Sequence, residues 1–490
     1  MGCGVSAAIN LNREPDLDIF KSINYILEES KNRGQQASGG TLYREGELIR
    51  HKGKGLPHEV FTQEFRDSHD LRGEVGIGHV RYATEGGDNL DNAHPVRVKM
   101  DNCTLDFAMN GEISDHLRWR ENLEEKGINF DKSTNDASTF AGLILDNYLE
   151  NPDLLKSLSS VYDEVFDYGG FTAVGLLSDD NKDKNYFFYE RDGLRPFYKG
   201  KFRDSLVFAS EDSPLYKLSA TDIREVESGI IGVYDIDSGE FETAQKKRVK
   251  PLCFFEIIYE MRPDSTVNGR SVIEYRYQLG KQLREEHPPE TCSKVTWVPR
   301  SGQNYARGYS KDVQEILIKD PSAKYARTFM VSQDSSERLQ KARTSFLVVR
   351  DRVEGNNIVT VDDSIVRYNN TPVVVNLLRE YGAHKVYTMI GCPPIIGPCH
   401  AGIDTHPEEL ITNVLGLDPM EIAGDHTELE KELENYVHPK LGEVRIDGVG
   451  YLSVDALKNV CGDKCYGCVE GIYPYKFKDM DKTLFRFEPV

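Results

Sequence analysis

At about residue 245 the chain changes rhythm, and that change limits the architectures open to it. Before it, short β-rich runs alternate with Gly/Asp turns: EVGIGHVRYAT, TLDFAMNGEI, FTAVGLLSDD, YFFYERDG and GIIGVYDIDSG. Residues 3–10 are small and apolar and read as a buried first strand. DLDIFKSINYILEESK (16–31) has apolar positions at helical spacing and stops before Asn32-Arg33-Gly34. This half predicts an α+β domain dominated by antiparallel sheet. Further on, IVTV (358–361) is a short apolar strand and DDSIVRYNN a polar loop. TPVVVNLLREYG (371–382) is a helix opening on Thr-Pro and closing on Gly382, and KVYTMIG (385–391) is the next strand. Strand, loop, helix, strand is a βαβ unit, which calls for a parallel sheet. A chain of 490 residues is too long for one ordinary core. The join falls in the basic stretch QKKRVKP (245–251), giving domains 3–245 and 246–490.

Charge and cysteine usage narrow the function classes. Sixty basic against eighty acidic side chains leave a net charge of −20. That argues against non-specific nucleic-acid binding, which needs a basic surface. An anionic small substrate would need a local basic pocket. No apolar run reaches the roughly 18 residues of a membrane span, and MGCGVSAAIN lacks a basic signal-peptide start, so the expected location is the cytoplasm. Nine cysteines, an odd count in a long chain, do not form a disulfide framework.

Behind Cys3 come RGQQASG (33–39), GHVRYAT (78–84), MNGEIS (109–114) and STNDAS (133–138), in that order. Following Cys-Gly-Val, this series resembles the class-II, N-terminal-nucleophile glutamine amidotransferase domain, a four-layer αββα fold. Amide hydrolysis needs a strong nucleophile, and thiolate is the best available near neutral pH. The resemblance makes Cys3 that nucleophile and its own α-amino group the base, which implies removal of Met1 and Gly2. It makes the Asn110 amide and the Gly111 N–H the oxyanion donors. Arg81 then holds glutamine's α-carboxylate, Asp136 its α-ammonium, and Thr84 neighbours the nucleophile. Taken singly, the same residues fit plainer roles. Cys3 can be a small buried side chain, Asn110-Gly111 a hairpin turn, Arg81 a surface salt bridge and Asp136 the cap of a helix at 137–148.

IVTVDDSIVR (358–367) is an apolar strand ending in two acids, then a loop and a helix start. It resembles the phosphoribosyl-diphosphate motif of the type I phosphoribosyltransferases, an α/β fold with a parallel sheet. Asp362 and Asp363 would stand at the carboxyl end of a strand, where open α/β sheets bind ligands. There they would hold ribose hydroxyls, directly or through Mg²⁺. The loop and helix start, with Ser364, Arg367, Asn369, Asn370 and Thr371, would cradle the 5′-phosphate. Read without the resemblance, the paired acids are a solvated turn with a cap. ERDGLRPFYKG (190–200), CFFEIIYEMRPDS (253–265), VPRSG (298–302) and GIDTHPEEL (402–410) extend the likeness, so that the whole chain resembles the amidophosphoribosyltransferase family. Ser301 falls where that family has a serine near its metal. The resemblance implies transfer of glutamine's ammonia to C1 of phosphoribosyl diphosphate, with purine nucleotides as regulators and a homo-oligomeric dimer or tetramer.

The chain departs from the family in its phosphate loop. Tyr368-Asn369-Asn370-Thr371 replaces glycine and small hydroxyl residues, and Tyr368 sets a large ring where glycine lets backbone approach phosphate. Arg300 stands where the family has an acid. SFLVVRD (345–351) alters the flap after RTF (327–329), where Arg338, Lys341, Arg343, Arg350 and Arg352 supply positive charge. These departures keep two alternatives open: an amidotransferase or glutaminase with a changed acceptor, and a non-catalytic nucleotide-sensing protein.

CGDKCYGC (461–468) holds a C-x₂-C pair, which fits zinc, redox or chance. Some amidophosphoribosyltransferases bind a [4Fe–4S] cluster through cysteines at corresponding places. The resemblance then implies Cys253, Cys399, Cys465 and Cys468 as ligands, with Cys461 left over. The same four thiols could instead hold zinc in a tetrahedral S₄ site, the lesser reading beside the cluster.

Overall fold

The computed structural model describes residues 2–14, 17–82, 89–290, 293–299, 301–320, 344–366, 368, 370–403, 405, 407–438, 442–477, 480 and 484–490. Thr84, Arg300, Arg338, Lys341, Arg343, Arg367 and Asn369 lie outside that set.

Two antiparallel sheets form the first half. The seven-stranded sheet has Gly4–Asn10 near its middle, between Ser205–Ala209 and Val75–Arg81. The six-stranded sheet is centred on Cys103–Ile113, Gly169–Asp179 and Lys184–Arg191. Every residue of GVSAAIN is buried because both faces of that strand are covered. Val5, Ala7 and Ile9 point between the sheets, against Ala108, Val174, Leu176 and Phe187. Ala8, on the other face, packs with Ile19, Phe20, Ile23 and Leu27. Those residues line one side of the Ile19–Glu29 helix, which Asp18 caps by accepting the Lys21 N–H at 2.8 Å. Helices Asp136–Glu150 and Leu154–Val165 cover the outer face of the six-stranded sheet. The layers therefore run helix, sheet, sheet, helix.

The second half contains a four-stranded parallel sheet in the order Lys294–Trp297, Asn357–Asp362, Lys385–Ile390, Gly448–Tyr451. Its registers put Asp362 beside Ile390, and Ile390 beside Tyr451, all at the carboxyl end. Asn370–Glu380 is the helix of the βαβ unit and packs its Val-rich face into the core. The stretch 245–251 is pinned rather than loose: Lys246 pairs with Asp163 at 2.6 Å, Arg248 with Asp167, and buried Lys250 with Asp192 at 3.2 Å. One apolar core runs from Ile23 and Leu27 through Phe254, Ile257 and Met261 to Tyr305, Leu457 and Tyr473. No helix among the described residues is long and apolar enough to cross a membrane.

Candidate active site

Cys3 directly precedes the Gly4–Asn10 strand. The antiparallel pairing of Gly4 with Val80 carries the thiol to the end of the Val75–Arg81 strand. Its Sγ lies 3.4 Å from both the backbone nitrogen and the carbonyl oxygen of Tyr82, and Cys3 and Tyr259 both pack against Tyr82. Arg33 Nε donates to the Cys3 carbonyl at 2.9 Å. Burial pushes the thiol pKa above its ordinary value, against the lowering pull of the Tyr82 N–H, Arg81 and Arg33. The protein matrix alone therefore keeps this sulfur protonated, and a base is needed to make the thiolate.

Asn110 and Gly111 sit inside the 11-residue Cys103–Ile113 strand, opposite Thr172 and Phe171, so they are not a hairpin turn. Gly111 has φ +141°, and a Cβ there would fall 2.0 Å from the Gly170 carbonyl oxygen, so only glycine fits. Asn110 is fully buried, yet neither its Nδ2 nor its Oδ1 has a hydrogen-bond partner among the described residues. An orphaned amide of this kind costs about 1–3 kcal/mol, an expense that native cores normally avoid. Its Oδ1 lies 3.0 Å from where a Cβ on Gly2 would be, which places the amide beside the residue bonded to Cys3.

Two neutral histidines hold this strand. His79 Nε2 lies 3.1 Å from the Met109 carbonyl, the Met109 N–H donates to His94 Nδ1 at 3.2 Å, and the two rings are 4.3 Å apart. Burial depresses the pKa of His79 to about 3 and that of His94 well below the usual histidine value. The unfolded chain titrates them near 6.5, so between those values it binds more protons than the folded chain. The stability they confer is complete above about pH 6.5 and is lost as pH falls, by up to about 1.4 kcal/mol per pH unit for each ring. Urea midpoints at pH 7 and pH 5 should reveal this loss, and His79→Gln should shrink the difference between them. An unchanged difference would assign the acid sensitivity elsewhere.

Arg81 ends its strand almost fully buried, with Nη1 donating to the Asn89 carbonyl at 3.1 Å, so it is not a surface ion pair. Asp136 is the first residue of its helix. The cap is Asn135, which accepts the Ser138 N–H at 3.0 Å, while Asp136 Oδ2 accepts the Ile113 N–H at 2.9 Å. Asp136 is thereby tied to the strand that carries Asn110 and Gly111. Sequence reasoning gave no role to the charges beneath this group. Arg33 pairs with Glu211 at 2.9 Å and with Glu256 at 2.8 Å, and Arg195 pairs with Glu256 at 3.1 Å, all fully buried. Burial alone would raise the Glu256 pKa, but Arg33 and Arg195 outweigh it and hold the carboxyl below its ordinary range. Glu256 and Tyr259 share a π-helical turn, Glu256–Glu260, that turns one toward Arg33 and the other toward Tyr82. Arg33, Arg195 and Glu256 each lie inside a segment that carries the family likeness, RGQQASG, ERDGLRPFYKG and CFFEIIYEMRPDS, but Glu211 lies in none of them.

At the second site, Asp362 Oδ1 accepts the Ser301 hydroxyl at 3.2 Å and the Asp363 N–H at 2.9 Å. Ser364 donates to Asp363 Oδ2 at 2.6 Å. Gly302 lets the Ser301 loop lie on the strand, since a Cβ there would be 2.1 Å from the Val361 carbonyl oxygen. Both acids are buried, so they are not a solvated turn; burial first, then the charge of Asp363, raises the Asp362 pKa well above a normal carboxyl. Two adjacent acids and a hydroxyl are the hard oxygen donors that Mg²⁺ takes, and such an ion would reverse the repulsion between them. Asn370 opens the following helix and Thr371 is buried in its first turn.

The expectation for Tyr368 needs correction. Its backbone has the left-handed φ of +48° that glycine adopts freely, but its ring turns into the core and does not line the loop. It packs edge-on against Tyr436 with centroids 5.3 Å apart, and its hydroxyl reaches the Leu433 carbonyl at 3.5 Å. Burial of the ring offsets the roughly 1–2 kcal/mol that an L-residue pays for this backbone. Of the basic residues expected near the flap, Arg352 donates to the Glu315 carbonyl at 2.9 Å and Arg350 faces Glu354 at 3.5 Å.

The four cysteines come from three separate segments. Cys253 and Cys465 face each other in a parallel bridge, with the Cys465 N–H on the Leu252 carbonyl at 2.9 Å. The Cys468 carbonyl accepts N–H groups from Ile396 and Gly397, and Cys399 Sγ lies 3.4 Å from the Tyr475 hydroxyl. None of the four is in a disulfide. Burial, followed by the Cys399 and Glu256 charges, outweighs the pull of Arg195 and pushes Cys253 up to about 12. Cys468 rises through burial and then the other three thiols. No three of the four sulfurs lie within 4.8 Å of one another. A zinc tetrahedron with bonds of about 2.3 Å holds its sulfurs about 3.8 Å apart, closer than any three of these four stand. Cys461 ends its own helix, Val454–Cys461.

Residues 88–217 match the family model described as a glutamine amidotransferase domain. The chain is 30% identical to an amidophosphoribosyltransferase of Methanocaldococcus jannaschii over 99% of this chain and 100% of that one. It is 31% identical to the enzyme of that name from Archaeoglobus fulgidus, covering 96% and 98%, and 31% identical to that of Bacillus subtilis, covering 92% and 90%. Among solved structures it resembles the glutamine phosphoribosylpyrophosphate amidotransferase of B. subtilis complexed with ADP and GMP. That match has TM-score 0.78 and 28% identity, over 98% of this chain and 99% of that one. A structure described as the allosteric regulatory enzyme of purine biosynthesis matches at TM-score 0.78 and 30% identity, over 98% of each chain.

Proposed function

Because the chain belongs to the amidophosphoribosyltransferase family, we propose that its Cys3 site and its Asp362–Asp363 site divide that family's reaction between them. The reaction is glutamine-dependent formation of phosphoribosylamine from phosphoribosyl diphosphate, the first step of purine synthesis, with glutamate and pyrophosphate as the other products. We assign the first half to residues 3–245 and the second to 246–490. The observation that carries the assignment is the buried Asn110 amide, which has no partner among the described residues yet lies beside the residue bonded to Cys3.

Cleavage of the Gly2–Cys3 bond frees the α-amino group of Cys3 and removes the residue now lying over Asn110. That amine takes the thiol proton, and the thiolate attacks the side-chain carbonyl carbon of glutamine. The Asn110 amide and the Gly111 N–H stabilise the resulting oxyanion. Arg81 and Asp136 hold glutamine's α-carboxylate and α-ammonium, with Thr84 alongside. The tetrahedral intermediate expels ammonia, which carries the proton away, and leaves a glutamyl thioester that water hydrolyses to glutamate. In the second half, ammonia attacks C1 of the ribose as the C1–oxygen bond to pyrophosphate breaks.

Asp362, Asp363 and Ser301 would hold Mg²⁺, which supplies positive charge for the departing pyrophosphate. Ser364, Arg367, Asn369, Asn370 and Thr371 would hold the phosphoribosyl group. With the Tyr368 ring packed in the core, the steric reason for a changed acceptor falls away. Cys253, Cys399, Cys465 and Cys468 would hold a [4Fe–4S] cluster whose part is structural, fastening the C-terminal segment to the 253–265 stretch. Purine nucleotides, the class bound in the B. subtilis relative, would act as regulators.

A glutamine-shaped electrophile of the diazoketone class tests the reading. Peptide mass spectrometry should find a single adduct, on Cys3, that excess glutamine prevents. Glutamate release should rise when phosphoribosyl diphosphate is added. An adduct on another thiol removes Cys3 from the role. Glutamate release indifferent to phosphoribosyl diphosphate would point to a different acceptor, and silence in both assays to a nucleotide-sensing protein.

A further inference from the structure

Two histidines and a glutamate, unused by the reaction above, meet at the open edge of the parallel sheet. His287 closes the Val272–Glu286 helix, and His426 opens the Thr427–Glu434 helix. Glu430 follows His426 by four residues and so shares its helix face. All three reach the last residue of the Gly448–Tyr451 strand. His287 Nε2 is 2.8 Å and His426 Nε2 3.2 Å from the Tyr451 carbonyl oxygen, and Glu430 Oε1 accepts the Tyr451 N–H at 2.8 Å. Glu430 Oε1 lies 3.5 Å from His426 Nε2 and 4.0 Å from His287 Nε2. A Cβ on Gly450 would be 2.7 Å from the His287 ring, so glycine there is what lets the imidazole lie over the strand.

The geometry points to a binding site for one divalent cation of the zinc class, held by His287 Nε2, His426 Nε2 and Glu430 Oε1. The three ligand atoms all lie within 4.8 Å of one another, the only such trio among the described residues. Counting the Tyr451 carbonyl, the measured separations bracket the edge of about 3.3 Å that a tetrahedron with bonds of about 2.0–2.1 Å requires. The three side chains keep 26%, 19% and 15% of their surface, so an ion can reach them from solvent. Imidazole nitrogens with one carboxylate suit zinc, nickel or copper, whereas Mg²⁺ prefers the all-oxygen set at Asp362 and Asp363. The registers place those acids two strands away at the same end of the sheet, about 10 Å along it. Each ring binds as the neutral tautomer protonated at Nδ1; its Nε2 proton, now directed at the Tyr451 carbonyl, moves to solvent while Nδ1 takes one up. The ion would fasten two helix ends to the edge strand.

Cobalt titration of the anaerobic, cluster-containing full chain, with Mg²⁺ in excess, tests the site. One equivalent should bind with visible d–d bands and no sulfur-to-cobalt charge-transfer band, and the melting temperature should rise. His287→Gln and His426→Gln keep a donor for the Tyr451 carbonyl but remove a ligand. Losing even an outer partner costs roughly 10- to 100-fold in metal affinity, so each variant should bind at least about 100-fold more weakly. Three results overturn the proposal: no bound equivalent, a sulfur charge-transfer band, or unchanged affinity in both variants.

Discussion

Cys3→Ala should lose glutamine-dependent activity by about 10⁴-fold or more and keep its ammonia-dependent activity within about a factor of two. The first effect is large because no other atom at the site can form the thioester. The second is small because the acidic pair stands on a different sheet, at the carboxyl end of the Asn357–Asp362 strand. The fold should tolerate the change. Cys3 is half-buried and packs against Tyr82, so truncation at Cβ costs about 1 kcal/mol or less. Glutamate release from glutamine and pyrophosphate release with ammonium chloride are measured on the same sample. Simultaneous loss of both activities would make the thiol a structural element between the halves. Surviving glutamate release would move the nucleophile elsewhere.

What the sequence revealed and what it hid differ by the range of the interactions involved. Strand periodicity and the Thr-Pro helix start are local, and the βαβ unit appears at Asn357–Asp362, Asn370–Glu380 and Lys385–Ile390, within a residue or two of its expected limits. Asn110-Gly111 was ambiguous because the positive φ of Gly111 is a turn-like conformation, used here inside a strand beside the Gly170 carbonyl. Only pairing with the Gly169–Asp179 strand resolves it. Tyr368 misled for a related reason. The loop position needs left-handed backbone, which argues for glycine, but the compensating burial comes from the distant segment that holds Leu433, 65 residues away, and Tyr436. Arg33 carried no legible role, since its partners Glu211 and Glu256 stand 178 and 223 positions along the chain.

That buried network also constrains how the halves relate. Arg33 holds the Cys3 carbonyl and Glu256, Glu256 holds Arg195, and Arg195 donates to the Ala401 carbonyl next to the Cys399 loop. Removing one partner from such a group strands a charge in the core and costs about 3–5 kcal/mol. The strand that follows Cys3 and the cysteine-rich segment therefore share one set of ion pairs, and neither half is a separately floating module.

Asn110 offers the sharpest separation of catalysis from stability. In most cores, deleting a buried amide breaks hydrogen bonds and destabilises the protein. Here neither amide atom has a partner among the described residues, so Asn110→Ala removes a group whose desolvation costs about 1–3 kcal/mol. The relief offsets the small cavity left behind, and the melting temperature should stay unchanged or rise. Glutaminase activity should nevertheless fall by about 10²- to 10³-fold, the usual consequence of losing one oxyanion donor. The donor acts on charge that exists only in the transition state, so kcat and kcat/KM should fall together while KM for glutamine holds. Ammonia-dependent activity should be untouched. Asn110→Asp keeps the shape but presents an acceptor to the oxyanion, and should be no more active than the alanine variant. If Asn110→Ala instead lowered stability by several kcal/mol and its folded fraction turned over glutamine at the wild-type rate, the amide would be a packing element and the oxyanion site would lie elsewhere.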